Sequence, residues 1–184
     1  MPEFAKLLAA ARNGDEAAFV QLFRSVQPAL LRYLTTIGGP VAEDAAGETW
    51  ACVVRDLHRF EGDENGFRAW VFTIGHARLR DAQRREYRAP MPVDAHEELA
   101  DRPAPDDVPA AVGELATTEE ALRLVASLPR DQAEAVLLRH VAGLDVPTTA
   151  MVLGKRPGAV RVAVHRGLKR LAAVLDERRT TDRV

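Results

Sequence analysis

Residues 147–175 read PTTAMVLGKRPGAVRVAVHRGLKRLAAVL, and this stretch decides the fold of the C-terminal part of the chain. It predicts a short helix over 147–153 and a longer helix from Pro157, joined by Gly154-Lys155-Arg156. Gly154 ends the first helix because glycine adopts the left-handed conformation at low cost. Pro157 begins the second because the first helical turn does not need its missing N–H. Two helices joined by such a turn are typical of a helix-turn-helix.

The longer of these helices, which we expect to run to about Asp176, has two distinct faces. Its apolar positions fall on one stripe, which we expect to be buried: Val160, Val164, Leu168, Leu171 and Leu175. The other side carries basic positions and one valine: Arg161, Val162, His165, Arg166 and Lys169. From Lys155 to Arg170 there are six basic residues and no acidic one. Such a face suits the DNA major groove, where arginine pairs with guanine and lysine contacts phosphates; a solvated cationic surface is the alternative.

The N-terminal part of the chain also has helical patterns. We expect four helices there, over residues 2–13, 16–37, 41–58 and 67–87. Asp15 is placed to cap the second helix, and Pro28 should kink it because proline lacks the N–H that an interior turn uses. A loop over 61–66 precedes the fourth helix. No run has the period-two pattern of a strand, so the chain is predicted to be all-α.

Residues 89–116 have the composition of a linker. They contain five prolines and no apolar periodicity, and residues 89–120 have nine acidic residues against one basic residue, Arg102. We therefore predict two small helical domains, 1–88 and 117–178, joined by a flexible acidic linker and followed by a tail, 179–184. Thr117 and Glu120 have the spacing of a capping box, so the first helix of the second domain should begin there, with another over 130–141.

The distribution of charge is more informative than its total, which is −2 from 25 Lys+Arg and 27 Asp+Glu. Residues 1–88 have 12 basic and 12 acidic residues, whereas residues 121–184 have 12 basic and six acidic ones. A nearly neutral chain can therefore carry a cationic module. The single cysteine, Cys52, excludes an internal disulfide framework. Without an apolar run of membrane length or a signal-peptide pattern, we expect a soluble, cytoplasmic protein with no membrane span.

The helix predicted over 41–58 has an acidic outer face. Its expected buried stripe consists of Ala46, Trp50, Val53 and Leu57. Asp44, Glu48 and Arg55 lie on the other side. Two carboxylates one turn apart repel mildly, which suits either a solvated face or a face that meets basic residues of a partner protein.

The helix predicted over 67–87 combines aromatic and basic residues. Phe67 and Trp70 are followed by a row of arginines: Arg78, Arg80, Arg84, Arg85 and Arg88. Aromatic rings beside cations suit unstacked bases as well as duplex phosphates. Packing in the core is the simpler explanation of Phe67 and Trp70 taken alone, and both roles are compatible at the edge of a groove.

Four segments, in this order along the chain, match known sequence patterns. Residues 42–50, AEDAAGETW, are similar to AEDLxQETF. Residues 60–74 are similar to FxGxxxFxxWLFxIA, and residues 128–139 to LPxxxRxvlxLr. Residues 158–167 are similar to GTVxSRLxRA. Together the segments resemble the extracytoplasmic-function (ECF) class of RNA polymerase sigma factors in the sigma-70 family, in which the first pattern is the core-binding helix and the last is the recognition helix. The resemblance covers everything except the linker and the tail.

The resemblance implies a fold, a function and a set of contacts. It implies that 1–88 is sigma region 2 and 117–178 is region 4, and that Asp44, Glu48 and Arg55 bind core RNA polymerase. The residues it assigns to the −10 promoter element are Phe60, Asp63, Asn65, Arg68, Trp70, His76, Ala77, Arg80 and Arg84. The residues it assigns to the −35 element are Lys155, Arg156, Arg161, Val162, His165, Arg166 and Lys169. The implied partners are core RNA polymerase and promoter DNA, with an anti-sigma factor as a further expected partner.

The chain departs from these family patterns at four positions. Gly47 replaces a glutamine, Ala77 stands where an asparagine is common, and Val162-Ala163 replace a Ser-Arg pair. Val162 can instead touch a thymine methyl. These departures bear on the promoter sequence that is recognised rather than on the class of protein.

Two other functions are compatible with parts of the sequence. A stand-alone helix-turn-helix regulator would have the same C-terminal module, but it needs neither the acidic face of 41–58 nor the aromatic and basic helix over 67–87. An enzyme is disfavoured because the five histidines are scattered, no glycine-rich phosphate loop occurs, and Cys52 has no predicted histidine partner. We therefore predict a non-enzymatic protein without cofactor or metal.

Overall fold

The computed structural model describes residues 2–88 and 112–181, and over these ranges it contains helices and turns but no strand. The prediction of an all-α protein is confirmed. The helices are α1 (Pro2–Arg12), α2 (Glu16–Gly38), α3 (Ala42–Asp56), α4 (Glu64–Arg88), α5 (Val112–Ala126), α6 (Arg130–Val136), α7 (Val146–Leu153) and α8 (Pro157–Thr181). Most of the predicted linker and the last residues of the tail lie outside the described ranges.

Helix α2 is the central support of the N-terminal module. The Asp15 side chain accepts a hydrogen bond from the Ala18 N–H at 3.0 Å, which confirms the predicted cap. The helix continues without a break through Pro28, which lies on its exposed side; the kink expected there stays a prediction. Its inner face is fully or almost fully buried: Leu22, Val26, Leu30, Tyr33 and Leu34.

Helices α3 and α4 pack against α2 and against each other. The predicted stripe of α3 is buried, as expected for Ala46, Trp50 and Val53. Gly75 of α4 lies so close to α2 that a Cβ atom there would be 2.8 Å from Leu30 Cδ1. The absence of a side chain therefore permits this close approach of the two helices.

Helix α4 begins at Glu64, so the prediction of a loop extending to residue 66 was wrong at its end. Asp63 ends the loop, because its Oδ1 accepts the Gly66 N–H at 2.8 Å. An aspartate in this position satisfies a donor that the first helical turn leaves free. Asp63 thus caps the first turn of α4.

The C-terminal module contains the predicted helix-turn-helix, formed by α7 and α8. Asp145 caps α7 by accepting the Thr148 N–H at 2.8 Å, and Gly154 ends it at φ 62°. Two boundaries upstream differ from the prediction. Helix α5 begins at Val112 instead of Thr117, because Glu114, Leu115 and Ala116 are good helix formers. The predicted helix over 130–141 changes at Leu137 into a π-helical turn, Leu137–Val141.

The predicted buried stripe of α8 was only partly correct. Val160 is fully buried, but Leu168 is 42% exposed and Leu175 is 46% exposed. Val164 and Leu171 of the same stripe are partly buried against the core. The helix also packs at Ala163 and Gly167, where a Cβ on Gly167 would lie 2.8 Å from Val136 Cγ2. These small residues bring α8 close to α6, so the buried face is shifted from the predicted stripe towards them.

The two modules pack against each other, which the sequence did not predict. Helix α4 contacts α7, and α2 contacts α5, α6 and the π-helical turn. Their buried apolar residues form one continuous cluster. Among the described helices, none has both the length and the apolar character needed to span a membrane.

Replacing Gly47 by alanine is predicted to stabilise the protein. Gly47 lies inside α3, and a Cβ there would meet nothing within 4 Å. Alanine should therefore add about 1 kcal/mol to the free energy of unfolding through helix propensity, measured by urea denaturation. The matched control is Gly75→Ala, whose new Cβ overpacks against the buried Leu30, so its stability should fall below wild type. Equal gains in both variants would contradict this account.

Candidate functional site

The outer face of α3 carries the three residues predicted to bind polymerase. Asp44 and Arg55 are exposed, and Glu48 is half-buried. Arg55 is paired with its neighbour Asp56 at 2.7 Å. This hydrogen-bonded pair holds the pKa of Asp56 below its ordinary value. Asp44 and Glu48 therefore give the face its acidic character, as the sequence indicated.

Glu48 is bound to α4 through Arg85. The two guanidinium nitrogens donate to the two carboxylate oxygens at 2.9 and 3.0 Å, a bidentate arrangement. The hydrogen bonds from Arg85 hold the pKa of Glu48 below its ordinary value. Glu48 therefore remains ionised over the physiological range, and Arg85 offsets its charge in the free chain.

An aromatic cluster lies where the 61–63 loop meets α4. Phe60 and Trp70 are stacked, with ring centroids 5.0 Å apart and an interplanar angle of 21°. Both rings are half-buried, whereas Phe67 beneath them is buried. Asp63 caps α4, and Asn65 is exposed in its first turn. A stack of this kind at the edge of the core offers a surface on which an unstacked base can lie.

His76 faces the protein interior, whereas its neighbour Ala77 is exposed. Only 7% of His76 is exposed, and its Nδ1 shares a hydrogen bond of 2.8 Å with the Tyr33 hydroxyl. Burial lowers the pKa of His76, opposed by the charge of Glu134, and burial raises the pKa of Tyr33 far above its ordinary value. His76 is therefore held by α2, with only a small exposed part at the wall of the groove lined by Arg80 and Arg84.

The three arginines of α4 that are predicted to contact the −10 element lie in two different environments. Arg80 and Arg84 are exposed, and Arg84 Nη1 lies 3.6 Å from Asp81 Oδ1. Arg68 is half-buried and donates to the carbonyls of Ser25 and Ala142. Arg80 and Arg84 line a groove of about 690 Å³ between the modules, together with Arg130 and Lys155.

The helix-turn-helix has an exposed basic surface. Every residue predicted to contact the −35 element is exposed: Lys155, Arg156, Arg161, Val162, His165, Arg166 and Lys169. Val162 is 48% exposed, so its methyl groups are free to make an apolar contact. These side chains are thus in solvent, unlike the packed Val160 and Ala163, and Lys155 also lines the groove between the modules.

Sequence reasoning missed Gln83 and Arg130, which bond to each other across the modules at 2.7 Å. No local signal marks them, because they are 47 residues apart in the chain. Among the described residues, no group of three or more His, Cys, Asp or Glu side chains could hold a metal ion. Cys52 is a half-buried residue of α3.

The Glu48–Arg85 pair makes a pH-dependent contribution to stability. Because the pKa of Glu48 is lowered by folding, this contribution is present above the ordinary glutamate pKa and is lost as the pH falls through the lowered value. In Arg85→Met the Glu48 pKa should rise towards its ordinary value, measured by NMR titration of its side-chain carboxyl carbon. Arg123→Met, which removes the partner of Glu119, is the control and should leave Glu48 unchanged. An unchanged Glu48 pKa in Arg85→Met would refute the pairing in solution.

Comparison with known proteins gives matches to both modules. The family model for sigma-70 region 2 matches residues 22–89, and that for sigma-70 region 4 matches residues 118–171. The ECF RNA polymerase sigma factor ShbA of Streptomyces griseus is 35% identical over 177 residues, which cover 90% of this chain and 91% of ShbA.

Two solved structures have a similar fold. The structure of CnrH in complex with the cytosolic domain of CnrY has a TM-score of 0.62 at 27% identity, over 95% of this chain and 97% of CnrH. The sigma factor RpoE of Bartonella quintana, solved with the anti-sigma factor NepR, has a TM-score of 0.61 at 22% identity, over 86% of this chain and 96% of RpoE. The chain belongs to the extracytoplasmic-function class of the sigma-70 family, and it is an alternative sigma factor that directs promoter-specific transcription initiation.

Proposed function

We propose that this sigma factor divides its task between three surfaces. The acidic face of α3 binds core RNA polymerase, the aromatic and basic surface of α4 recognises and melts the −10 element, and the exposed face of α8 reads the −35 element. The observation that carries the proposal is the exposure of one basic face of a helix-turn-helix in the same chain as an exposed acidic face on α3.

The proposed polymerase contact is electrostatic. Asp44, Glu48 and Arg55 share the outer face of α3, opposite the buried Trp50 and Val53. Acidic side chains held on a rigid helix complement a basic partner surface and exclude wrong partners through like-charge repulsion. Arg85, which neutralises Glu48 in the free chain, would then be released towards DNA.

The proposed −10 contact uses stacking and charge. A base that leaves the duplex can stack on the half-buried Phe60–Trp70 pair, and stacking is tolerant of sequence. Arg80 and Arg84, exposed farther along α4, are placed to contact phosphates. Asp63 and Asn65 are exposed at the start of the same helix, whereas Arg68 and His76 would have to leave their hydrogen-bond partners within the chain to reach DNA.

The proposed −35 contact is direct reading in the major groove. Arg161 and Arg166 can pair with guanine, Val162 can contact a thymine methyl, and Lys155 and Lys169 can hold phosphates. Both promoter contacts are made by one chain held on one polymerase. The second contact is therefore intramolecular, which raises its effective concentration.

We also propose that an anti-sigma factor binds this chain. The solved complexes of CnrH with CnrY and of RpoE with the anti-sigma factor NepR support the proposal, because CnrH and RpoE have folds similar to this one. Purification from unstressed native cells should recover the chain with a bound anti-sigma factor; recovery of free, active protein would argue against one.

We assign the chain no cofactor and no catalytic role, and we place its action with RNA polymerase in the cytoplasm.

Reversing the charge of Asp44 is predicted to impair polymerase binding. Asp44→Lys should weaken the affinity for core RNA polymerase by about tenfold, because a lysine there meets basic partner residues. Affinity can be measured by fluorescence anisotropy of the labelled chain. Glu3→Lys makes the same charge change on α1 and is the control, for which the affinity should stay at the wild-type value. Equal affinities for all three proteins would contradict the assignment of α3.

Two substitutions on α8 are predicted to have different signatures. Arg166→Ala should relax specificity at one −35 position, at a cost of about 1–3 kcal/mol. Lys169→Ala should weaken binding to all sequences alike and reduce the salt dependence by about one phosphate contact. Both are measured by holoenzyme binding to promoter variants at several salt concentrations. A loss of specificity from Lys169→Ala and none from Arg166→Ala would reverse the assignment.

A further inference from the structure

The groove between the two modules has an excess of positive charge. Five of its lining side chains are cations and one, Glu134, is an anion, which leaves an excess of four positive charges. The cations are Arg80, Arg84 and Arg88 of α4, Arg130 of α6 and Lys155 of the turn after α7. Charge of one sign gathered in a cleft focuses the electrostatic potential and attracts ions of the opposite sign.

Three of these cations have no partner in the part of the chain that the structure describes. The side chains of Arg80, Arg88 and Lys155 make neither a hydrogen bond nor an ion pair there, and all three are exposed. Elsewhere on α4 the arginines have carboxylate partners, as Arg85 has in Glu48 at 2.9 Å. The groove thus collects the cations that the protein does not neutralise itself.

The cations from different elements converge on His76, which lies at the wall of the groove. Burial is the main cause of the lowered pKa of His76, and the charge of Glu134 opposes it. The charges of Arg80, Arg130 and Lys155 lower this pKa further. Side chains from α4, α6 and the α7–α8 turn are therefore close enough to act on one point electrostatically.

Tyr87 adds an aromatic surface to the same groove. Its ring is 93% exposed and has no ring contact among the described residues. Tyr87 lies between Arg84 and Arg88 in the sequence of α4. An exposed ring beside cations offers a place on which a nucleobase can stack while its phosphates meet the cations.

The size of the groove limits the occupant to a small molecule. Its volume of about 690 Å³ lies in the range of sites for small ligands and cofactors. Arg80, Arg84 and Arg88 follow each other at intervals of four residues, about 6 Å along the helix, on neighbouring positions of one side. A row of guanidinium groups can hold several phosphate groups of one chain.

We propose that this groove is a binding site for a nucleoside polyphosphate. The cations hold the phosphate chain, and the ring of Tyr87 stacks on the base. Promoter phosphates are the alternative partner of Arg80 and Arg84, but Tyr87, Arg88 and Arg130 belong to neither promoter assignment. The inference goes beyond the proposed function and does not depend on it, because it uses only the groove of the free chain.

Calorimetric titration of the full chain tests the site. ATP, tripolyphosphate and adenosine are titrated in turn, in the absence of divalent cations. ATP and tripolyphosphate should bind, whereas adenosine should bind at least tenfold more weakly than ATP because it lacks the charged groups that the cations hold. No heat of binding with ATP, or equal affinities for ATP and adenosine, would overturn the proposal.

A matched pair of substitutions places the phosphates in the groove. Arg88→Gln removes one cation from the groove, and Arg24→Gln makes the same change at an exposed position of α2 outside it. Arg88→Gln should weaken ATP binding about tenfold, as expected for the loss of one charge-assisted hydrogen bond. Arg24→Gln should keep the wild-type affinity. Equal losses in both variants would show a general attraction of anions to the surface and overturn the site.

Tyr87→Ala tests recognition of the base. The variant should bind ATP about tenfold more weakly, because one stacking contact is lost, and should bind tripolyphosphate as the wild type does. Since Tyr87 is almost fully exposed, the thermal unfolding transition should stay unchanged, which checks that the fold is intact. An unchanged affinity for ATP, or an equal loss for both ligands, would refute a nucleoside ligand.

Discussion

The burial of helix α4 against α2 and α3 is the interaction on which the rest of the structure depends. It needs a glycine at position 75, since a Cβ there would collide with Leu30, and it buries Phe67, Val71, Phe72 and Leu79. This packing fixes the rotation of a 25-residue helix. This rotation places Trp70 at the edge of the core, Arg80, Arg84 and Arg85 in solvent, and Gln83 against α6.

Charge explains how a chain of net charge −2 can bind a polyanion. The basic residues of α8 have no acidic neighbour between Lys155 and Arg170, so the local potential of the reading face is positive whatever the total is. On α3 and α4 the opposite charges are paired instead, as in Glu48–Arg85 and Arg55–Asp56. These exposed pairs are screened by salt and can exchange partners at low cost. The exposed charges of the N-terminal module are therefore not locked in buried ion pairs.

Local patterns predicted much of this fold because they depend on near neighbours. Each correct prediction depends on residues of a single helix or its ends. Examples are the cap of α2 by Asp15, the end of α7 at Gly154 and the buried side of α3. The buried face of α8 was predicted only in part, because Ala163 and Gly167 also pack against the core. A helical pattern based on large apolar residues gives no weight to glycine and alanine. The start of α4 was predicted too late in the chain, because Asp63 caps a helix that includes Gly66. The modules' mutual packing depends on pairs such as Gln83–Arg130, which no local pattern marks.

Run-off transcription most directly tests the central claim that this chain directs polymerase to a particular set of promoters. Core RNA polymerase is incubated with fragmented genomic DNA from the native cell, with and without the purified chain, and the transcripts are sequenced. The account predicts discrete start sites that depend on the chain, each preceded by two shared sequence blocks, one for each module. Transcripts identical to those of core polymerase alone, or start sites that share no upstream sequence, would contradict it.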